Sequence, residues 1–188
     1  MKETIEQSIR SSSEIIKEST IFVKEIEDIV LSIVNAFKNN NKVILFGNGG
    51  SAADAQHMAG ELIGRYLLER NPLSAIALTT DSSVLTALGN DYGFENIFSR
   101  QCEGLVKPGD IVFAISTSGN SKNILKGISK SKSLGAKIIS LTGNNTSKMK
   151  KYSDVVIPVS STTTPRIQEA HRTIIHIICE QVEKNLRK

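Results

Sequence analysis

Short, almost wholly apolar runs alternate with helical stretches from residue 43 onward, which predicts an α/β fold with a doubly wound, parallel five-stranded sheet flanked by helices. Two further observations complete the class. A sustained apolar periodicity over the first forty residues predicts an N-terminal helical pair. An amphipathic stretch led by Pro165, over residues 165–185, predicts a long C-terminal helix.

In the first segment Ile5, Ile9, Ile16, Val23, Ile26, Val30, Ile33, Val34 and Phe37 recur at three- and four-residue steps, the spacing of one helical face. The stretch lacks Pro and Gly and is long for one helix. A break is therefore expected at Ser19 or Thr20, either of which suits the cap of a second helix. Asn39-Asn40-Asn41 ends the pair. The expected strands are 43–46, 75–78, 111–115, 137–141 and 155–159, nearly continuous in apolar character, as when helices cover both sheet faces. Helices are expected near 52–68, 83–88, 94–105 and 121–134, with a short one near 146–151. Ser160-Ser161-Thr162-Thr163-Thr164 is the polar link to the last helix, and Pro165 suits a first turn because the N–H it lacks is unpaired there anyway.

At 188 residues the chain is expected to form a single domain, with 1–40 as a helical oligomerisation segment and 42–188 as the α/β core and C-terminal helix. The apolar stripe of the N-terminal helices outruns what one small sheet can cover, so a self-association surface is expected there. No apolar run nears the roughly 18 residues of a membrane span. Met1-Lys2-Glu3-Thr4 starts no secretory signal, so the expected location is cytoplasmic. Cys102 and Cys179 are too few and too isolated for a disulfide framework or a zinc ribbon, and Cys179 reads as a buried, inert thiol. The net charge of +4 comes largely from scattered lysines such as Lys122, Lys126 and Lys130, the wet side of a helix. With only 5% aromatic residues and no aromatic–basic alternation, nucleic acid is excluded as the expected partner.

Two loops carry chemistry. Gly47-Asn48-Gly49-Gly50-Ser51 and Ser116-Thr117-Ser118-Gly119-Asn120-Ser121 each follow a strand and precede a helix, at the carboxyl edge of the sheet where open α/β folds bind ligands. Glycines in the first let backbone N–H groups approach an anion, and the next helix N-terminus adds partial positive charge. The second offers the hydroxyls of Ser116, Thr117, Ser118 and Ser121, a donor density suited to a phosphate dianion; the plainer alternative is that Ser121 only caps the next helix. Gly47, Gly49 and Ala52 also fit a G-x-G-x-x-A dinucleotide fingerprint, but no acid stands about 20 residues on, where that site requires one.

His57, Glu61 and Arg65 lie four apart on the helix after the first loop and are expected to form one polar row beside it. On the last helix Gln168, His171 and His176 are candidate ligands. Gln168 and His176 are separated by about 12 Å along the axis and about 80° around it, so spacing alone pairs Gln168 with His171. These features read as a metal-assisted enzyme for a small phosphorylated substrate.

Taken together, the first loop with His57, Glu61 and Gly64-Arg65-Tyr66, then Gly89-Asn90-Asp91 with Gly93-Phe94, then the hydroxyl loop, then Arg166-Ile167-Gln168-Glu169 with His171 and His176, resemble the phosphoheptose isomerase family of sugar-isomerase-domain (SIS) enzymes. The resemblance spans almost the whole chain. It implies a flavodoxin-like SIS fold and conversion of sedoheptulose 7-phosphate into D-glycero-D-manno-heptose 7-phosphate, the first step toward nucleotide-activated heptose for lipopolysaccharide or capsule. It implies one Zn2+ per subunit at His57, Glu61, Gln168 and His176, preferring His176 to His171. It also implies sugar-phosphate contacts at Asn48, Gly49, Gly50, Asn90, Asp91, Ser116, Thr117, Ser118, Ser121 and Gln168, and a homotetramer with sites at subunit interfaces. Ser51, Glu61 and Arg65 join the expected substrate contacts from their places at the loop and on the row. Glu61 is the expected base and His176 the expected acid. One departure is Pro165, where some members carry a carboxylate. Non-catalytic SIS tetramers that bind a replication initiator share both loops but differ at the positions of Glu61 and His176; an isomerase of another sugar phosphate is a third alternative.

Overall fold

The computed structural model describes residues 1–144 and 147–187. Helices α1 (Lys2–Glu18) and α2 (Val23–Lys38) lead into β1 (Val43–Gly47), α3 (Gly50–Ile63), β2 (Ala75–Ala77), α4 (Ser82–Tyr92) and α5 (Ile97–Leu105). Then follow β3 (Ile111–Ser116), α6 (Lys122–Ser133), β4 (Lys137–Thr142), α7 (Ser147–Lys150), β5 (Val155–Pro158) and α8 (Thr164–Leu186). The five strands pair in parallel in the order β2-β1-β3-β4-β5, with Leu45 opposite both Ala77 and Phe113. Chain reversal between β2 and β3, on either side of β1, leaves a crevice at the carboxyl end of β1 and β3. Both loops singled out above open into that edge.

Side chains alternate from β1 and β3 to opposite faces. Leu45, Phe113, Ile115, Ile139 and Ile157 pack under α2, α3 and α8, while Ile44, Phe46, Val112, Ala114 and Ile138 pack under α5 and α6. Phe46 stacks on Phe98 with ring centroids 4.9 Å apart. All these strand residues are fully buried, which is why the sequence shows unbroken apolar runs rather than alternation.

Several boundaries differ from expectation. Ser19 and Thr20 finish α1 rather than cap α2: their hydroxyls donate back to the carbonyls of Ile15 and Lys17, and a 3-10 turn over Ser19–Phe22 joins the helices. Asn40, at φ 58°, ends α2 in the left-handed region. The third helix stops at Ile63 instead of running to 68. The stretch expected at 94–105 is a 3-10 turn, Phe94–Asn96, followed by α5, set off from a longer α4 by Gly93 at φ 81°. Residue 146 of the expected short helix lies outside the described residues.

His171 belongs to the core. It is fully buried, and its Nε2 stands 3.2 Å from the Thr142 carbonyl on β4, as an N–H donor, while Nδ1 has no partner among the described residues. Burial drives its pKa down to about 4. The unfolded chain then binds one more proton between about pH 6.5 and pH 4, so this contribution to stability is full above 6.5 and is lost as pH falls toward 4. Acidification from pH 7 to pH 5 is expected to cost about 2 kcal/mol through this residue. Urea unfolding at the two pH values checks it: His171→Gln flattens the acid slope, and an unchanged slope contradicts the assignment.

On the outside, α1 buries none of its side chains, leaving Ile5 and Ile9 54% and 65% exposed. An apolar groove lined by Ile16, Val23, Ile26, Val30, Leu31 and Ile177 runs between the N-terminal helices and α8. It lies away from both loops. Among the described residues no helix is long and apolar enough to cross a membrane.

Candidate active site

Helix α3 starts directly from the first loop because Gly49 adopts φ 54°, a left-handed conformation that side-chain-bearing residues rarely take. The Asn48 and Gly49 carbonyls accept the first turn's N–H groups, from Ser51 at 3.0 Å and Ala52 at 3.0 Å. Helix α8 packs beside α3, and the two meet along matched rows. On α3 the row is Gly50, Asp54, His57, Glu61; on α8 it is Gln168, Arg172, His176, at four-residue steps.

At the loop end, Gln168 lies so close that a Cβ on Gly50 would strike its side-chain amide. One turn on, Arg172 clamps Asp54, with Nε 2.8 Å and Nη2 2.5 Å from Oδ1. Asp54 is buried and its Oδ2 has no partner among the described residues; desolvation raises its pKa even against the pull of Arg172. Next, the Nε2 atoms of His57 and His176 approach to 2.8 Å. One must donate and the other accept, so the pair holds a single proton between them. Glu61 Oε1 stands 3.4 Å from His57 Nε2. Tyr66 covers the other side of His176, with ring centroids 5.8 Å apart. Burial first, and then the Arg172 charge, lower the His57 pKa and keep this imidazole neutral, the form that offers a ring lone pair.

The ends of both helices are tied together. The buried Glu183 carboxylate accepts backbone N–H groups of Tyr66, Leu67 and Leu68 at 3.0, 2.8 and 2.8 Å and pairs with Arg70 Nε at 3.2 Å. Arg70 in turn donates to the carbonyls of Glu61 and Leu62 at 2.7 and 2.8 Å, satisfying the open end of α3. This is why α3 stops at Ile63. Arg65 consequently leaves the row: it is exposed, with its nearest charged partner Glu69 3.7 Å away. His171, which spacing alone favoured as the partner of Gln168, faces β4 and is absent from the site. His176 takes the place beside His57.

The hydroxyl loop departs from a simple helix cap. Ser121 occupies the N-cap position of α6 but its side chain makes no capping hydrogen bond. Ser116 Oγ accepts the Gly119 N–H at 3.2 Å and Ser118 Oγ the Asn120 N–H at 3.3 Å, so both hydroxyl protons are left pointing elsewhere. Thr117, Ser118, Asn120, Asn144, Ser161 and Thr162 line one cleft beside the loop. Asn90 and Asp91 bond to each other at 2.8 Å on the exposed end of α4 and make no hydrogen bond to either loop, α3 or α8 among the described residues.

Two histidines and a carboxylate brought together suit a borderline divalent cation by donor type. Among the described residues no three His, Cys, Asp or Glu side chains already stand in closed ligand geometry. The imidazole nitrogens at 2.8 Å form a hydrogen-bonded pair, whereas two nitrogens on one tetrahedral zinc lie about 3.3 Å apart. Side-chain shifts of about half an ångström bridge that difference, so His57, Glu61 and His176 fit by donor type, whereas Gln168 stands apart from them beside Gly50.

Sequence reasoning missed Asp54, Arg172, Asn123, Arg70 and Glu183. Asp54 and Arg172 had a readable signal, since they precede His57 and His176 by three and four residues on the same faces. The others act through tertiary contacts that no local pattern announces.

Comparisons with known proteins agree in kind. A family model described as SIS domain matches residues 3–143. A phosphoheptose isomerase from Aquifex aeolicus is 51% identical over 185 residues, covering 98% of this chain and 97% of that one. The fold matches a phosphoheptose isomerase from Neisseria gonorrhoeae with a TM-score of 0.92 at 37% identity, over 97% of this chain and 98% of the other. A phosphoheptose isomerase from Francisella tularensis superposes with a TM-score of 0.93 at 35% identity, over 97% of each chain.

Proposed function

The chain belongs to the phosphoheptose isomerases, aldose–ketose isomerases of the SIS-domain family that act on sedoheptulose 7-phosphate, and from that premise we propose a metal-assisted route centred on α3 and α8. The observation that carries it is the meeting of His57 and His176 at 2.8 Å with Glu61 alongside, about two turns from an anion loop. Glu61 takes a proton from C1 of the open-chain ketose and returns it at C2. His176 carries the hydroxyl proton from O1 to O2, so that C1 ends as the aldehyde and C2 as the alcohol. His57, Glu61 and His176 would hold the cation, which supplies positive charge to the sugar oxygens as they become electron-rich. Gln168 stands beside Gly50, about two turns along α8 from His176, and joins that set only where a second subunit supplies it.

The remaining residues bind and orient. The hydroxyl loop, with Ser116, Thr117, Ser118 and Ser121, takes the phosphate and fixes the far end of the sugar, which contributes positioning rather than chemistry. Asn48, Gly49, Gly50, Ser51 and Gln168 line the path between phosphate and α3. Arg65, Asn90 and Asp91 are outer contacts, completed in a homotetramer that covers the exposed apolar face of α1 and the groove beside α8. We place the enzyme in the cytoplasm. Proton NMR of the purified protein with sedoheptulose 7-phosphate in deuterated water tests the reading. The aldose 7-phosphate signal is expected, with deuterium at C2 where the base has exchanged with solvent. Turnover of a five- or six-carbon ketose phosphate but not the heptulose contradicts the substrate assignment.

A further inference from the structure

The two ligand loops are joined by one pair of side chains. Asn48, in the first loop, donates from Nδ2 to Asn123 Oδ1 at 3.0 Å, and Asn123 donates from Nδ2 to Asn48 Oδ1 at 2.8 Å. Each amide thus offers its carbonyl and one N–H to the other, a closed two-bond ring across 75 residues of sequence. Asn123 sits in the first turn of α6, two residues past the hydroxyl loop, and is 3% exposed. Its Oδ1 also accepts the Ile124 N–H at 2.9 Å, which holds the side chain against its own helix. The adjoining strand ends, Gly47 of β1 and Ile115 of β3, are already in register. The amide pair extends that registry beyond the sheet, to the level where ligand binds.

Resting on the function proposed above, we infer that Asn123 is a positioning residue for the isomerisation: through Asn48 it fixes the distance between the phosphate-holding loop and the start of α3. A sugar phosphate spans the two loops, with its phosphate at one and its reacting carbons near Glu61 at the other. Were the loops free to shift relative to each other, phosphate capture would no longer deliver C1 and C2 to the base. The paired amide edges also leave Asn48 with one remaining side-chain N–H for substrate, so its main service is to hold the loop. A misplacement of about 1 Å remote from the reacting atoms suffices for a large loss of rate.

The test is a double-mutant cycle with Asn48→Ala, Asn123→Ala and the double variant, assayed on sedoheptulose 7-phosphate with inorganic phosphate as competing probe. Asn123→Asp, of the same shape but lacking the donor to Asn48, is the companion variant in case Asn123→Ala folds poorly. Each single change is expected to lower kcat/KM about 10- to 100-fold, since two hydrogen bonds are lost, and the double variant to fall no further than the worse single one. The inhibition constant for inorganic phosphate is expected to stay within about twofold in Asn123→Ala, because the hydroxyl loop keeps its own bonds; Asn123→Asp adds a negative charge beside that loop and is judged on kcat/KM alone. Losses that multiply in the double variant overturn the proposal. So does phosphate affinity that falls in step with kcat/KM, which makes Asn123 merely a support of the phosphate loop. A wild-type protein inert toward the heptulose fails the functional reading first, and this inference with it.

Discussion

Glu61→Gln is expected to lower kcat about 10³- to 10⁴-fold, about 4 to 5.5 kcal/mol of transition-state stabilisation, with the fold unchanged. Glu61 is the one carboxylate on the α3 row that faces neither core nor clamp; Asp54, the other acid, is buried and held by Arg172. Glutamine keeps the shape and the 3.4 Å approach to His57 but cannot take a proton from carbon. Because Arg70 binds the backbone of residue 61 and not its side chain, the end of α3 stays capped. KM is expected to change little, since the proposed phosphate site is the hydroxyl loop and not Glu61. Steady-state kinetics, with circular dichroism as the check on folding, decides the matter. A variant with wild-type kcat removes Glu61 from the base role, and loss of the folded signal would move it into the class of structural residues.

His176→Ala is expected to lower kcat/KM by about 10³-fold, through two effects at once. It deletes the proposed acid, and it leaves His57 without its partner at 2.8 Å. Stability is expected to fall by only about 1 kcal/mol, since one hydrogen bond and part of the Tyr66 contact are lost from a half-buried position. The contrast with His171→Ala is instructive. That change empties a fully buried site between α8 and β4 and is a stability mutation, although the two histidines are five residues apart on one helix.

Much of this was legible in the residues. The five strands read as nearly continuous apolar runs, of which β1 and β3 are wholly buried, and the order of strand, loop and helix put both loops on the carboxyl edge. The end of α3 was not legible, because Arg70 and Glu183 stop it through contacts reaching over 113 residues of sequence. Spacing chose the wrong histidine: it measures distance along an isolated helix and ignores which face the neighbouring helix meets. The correct choice was partly written in the chain, for His171 falls on the same stripe as Ile167, Ile174, Ile175 and Ile178, all buried. The polar row Gln168, Arg172, His176 runs along the other side at strict four-residue steps. The loop-to-loop amide pair had no local signature at all, since Asn48 and Asn123 each look like ordinary turn residues.

The claim on which the account turns is that the His57–His176 pair opens to hold a cation needed for proton transfer beside Glu61. Stripping the purified enzyme with a chelator, removing the chelator, and titrating zinc back while following sedoheptulose 7-phosphate turnover measures this directly. The account predicts that activity disappears on stripping and returns at one equivalent of zinc per chain, with no such return in His57→Ala. Full activity in the stripped, metal-free enzyme contradicts it.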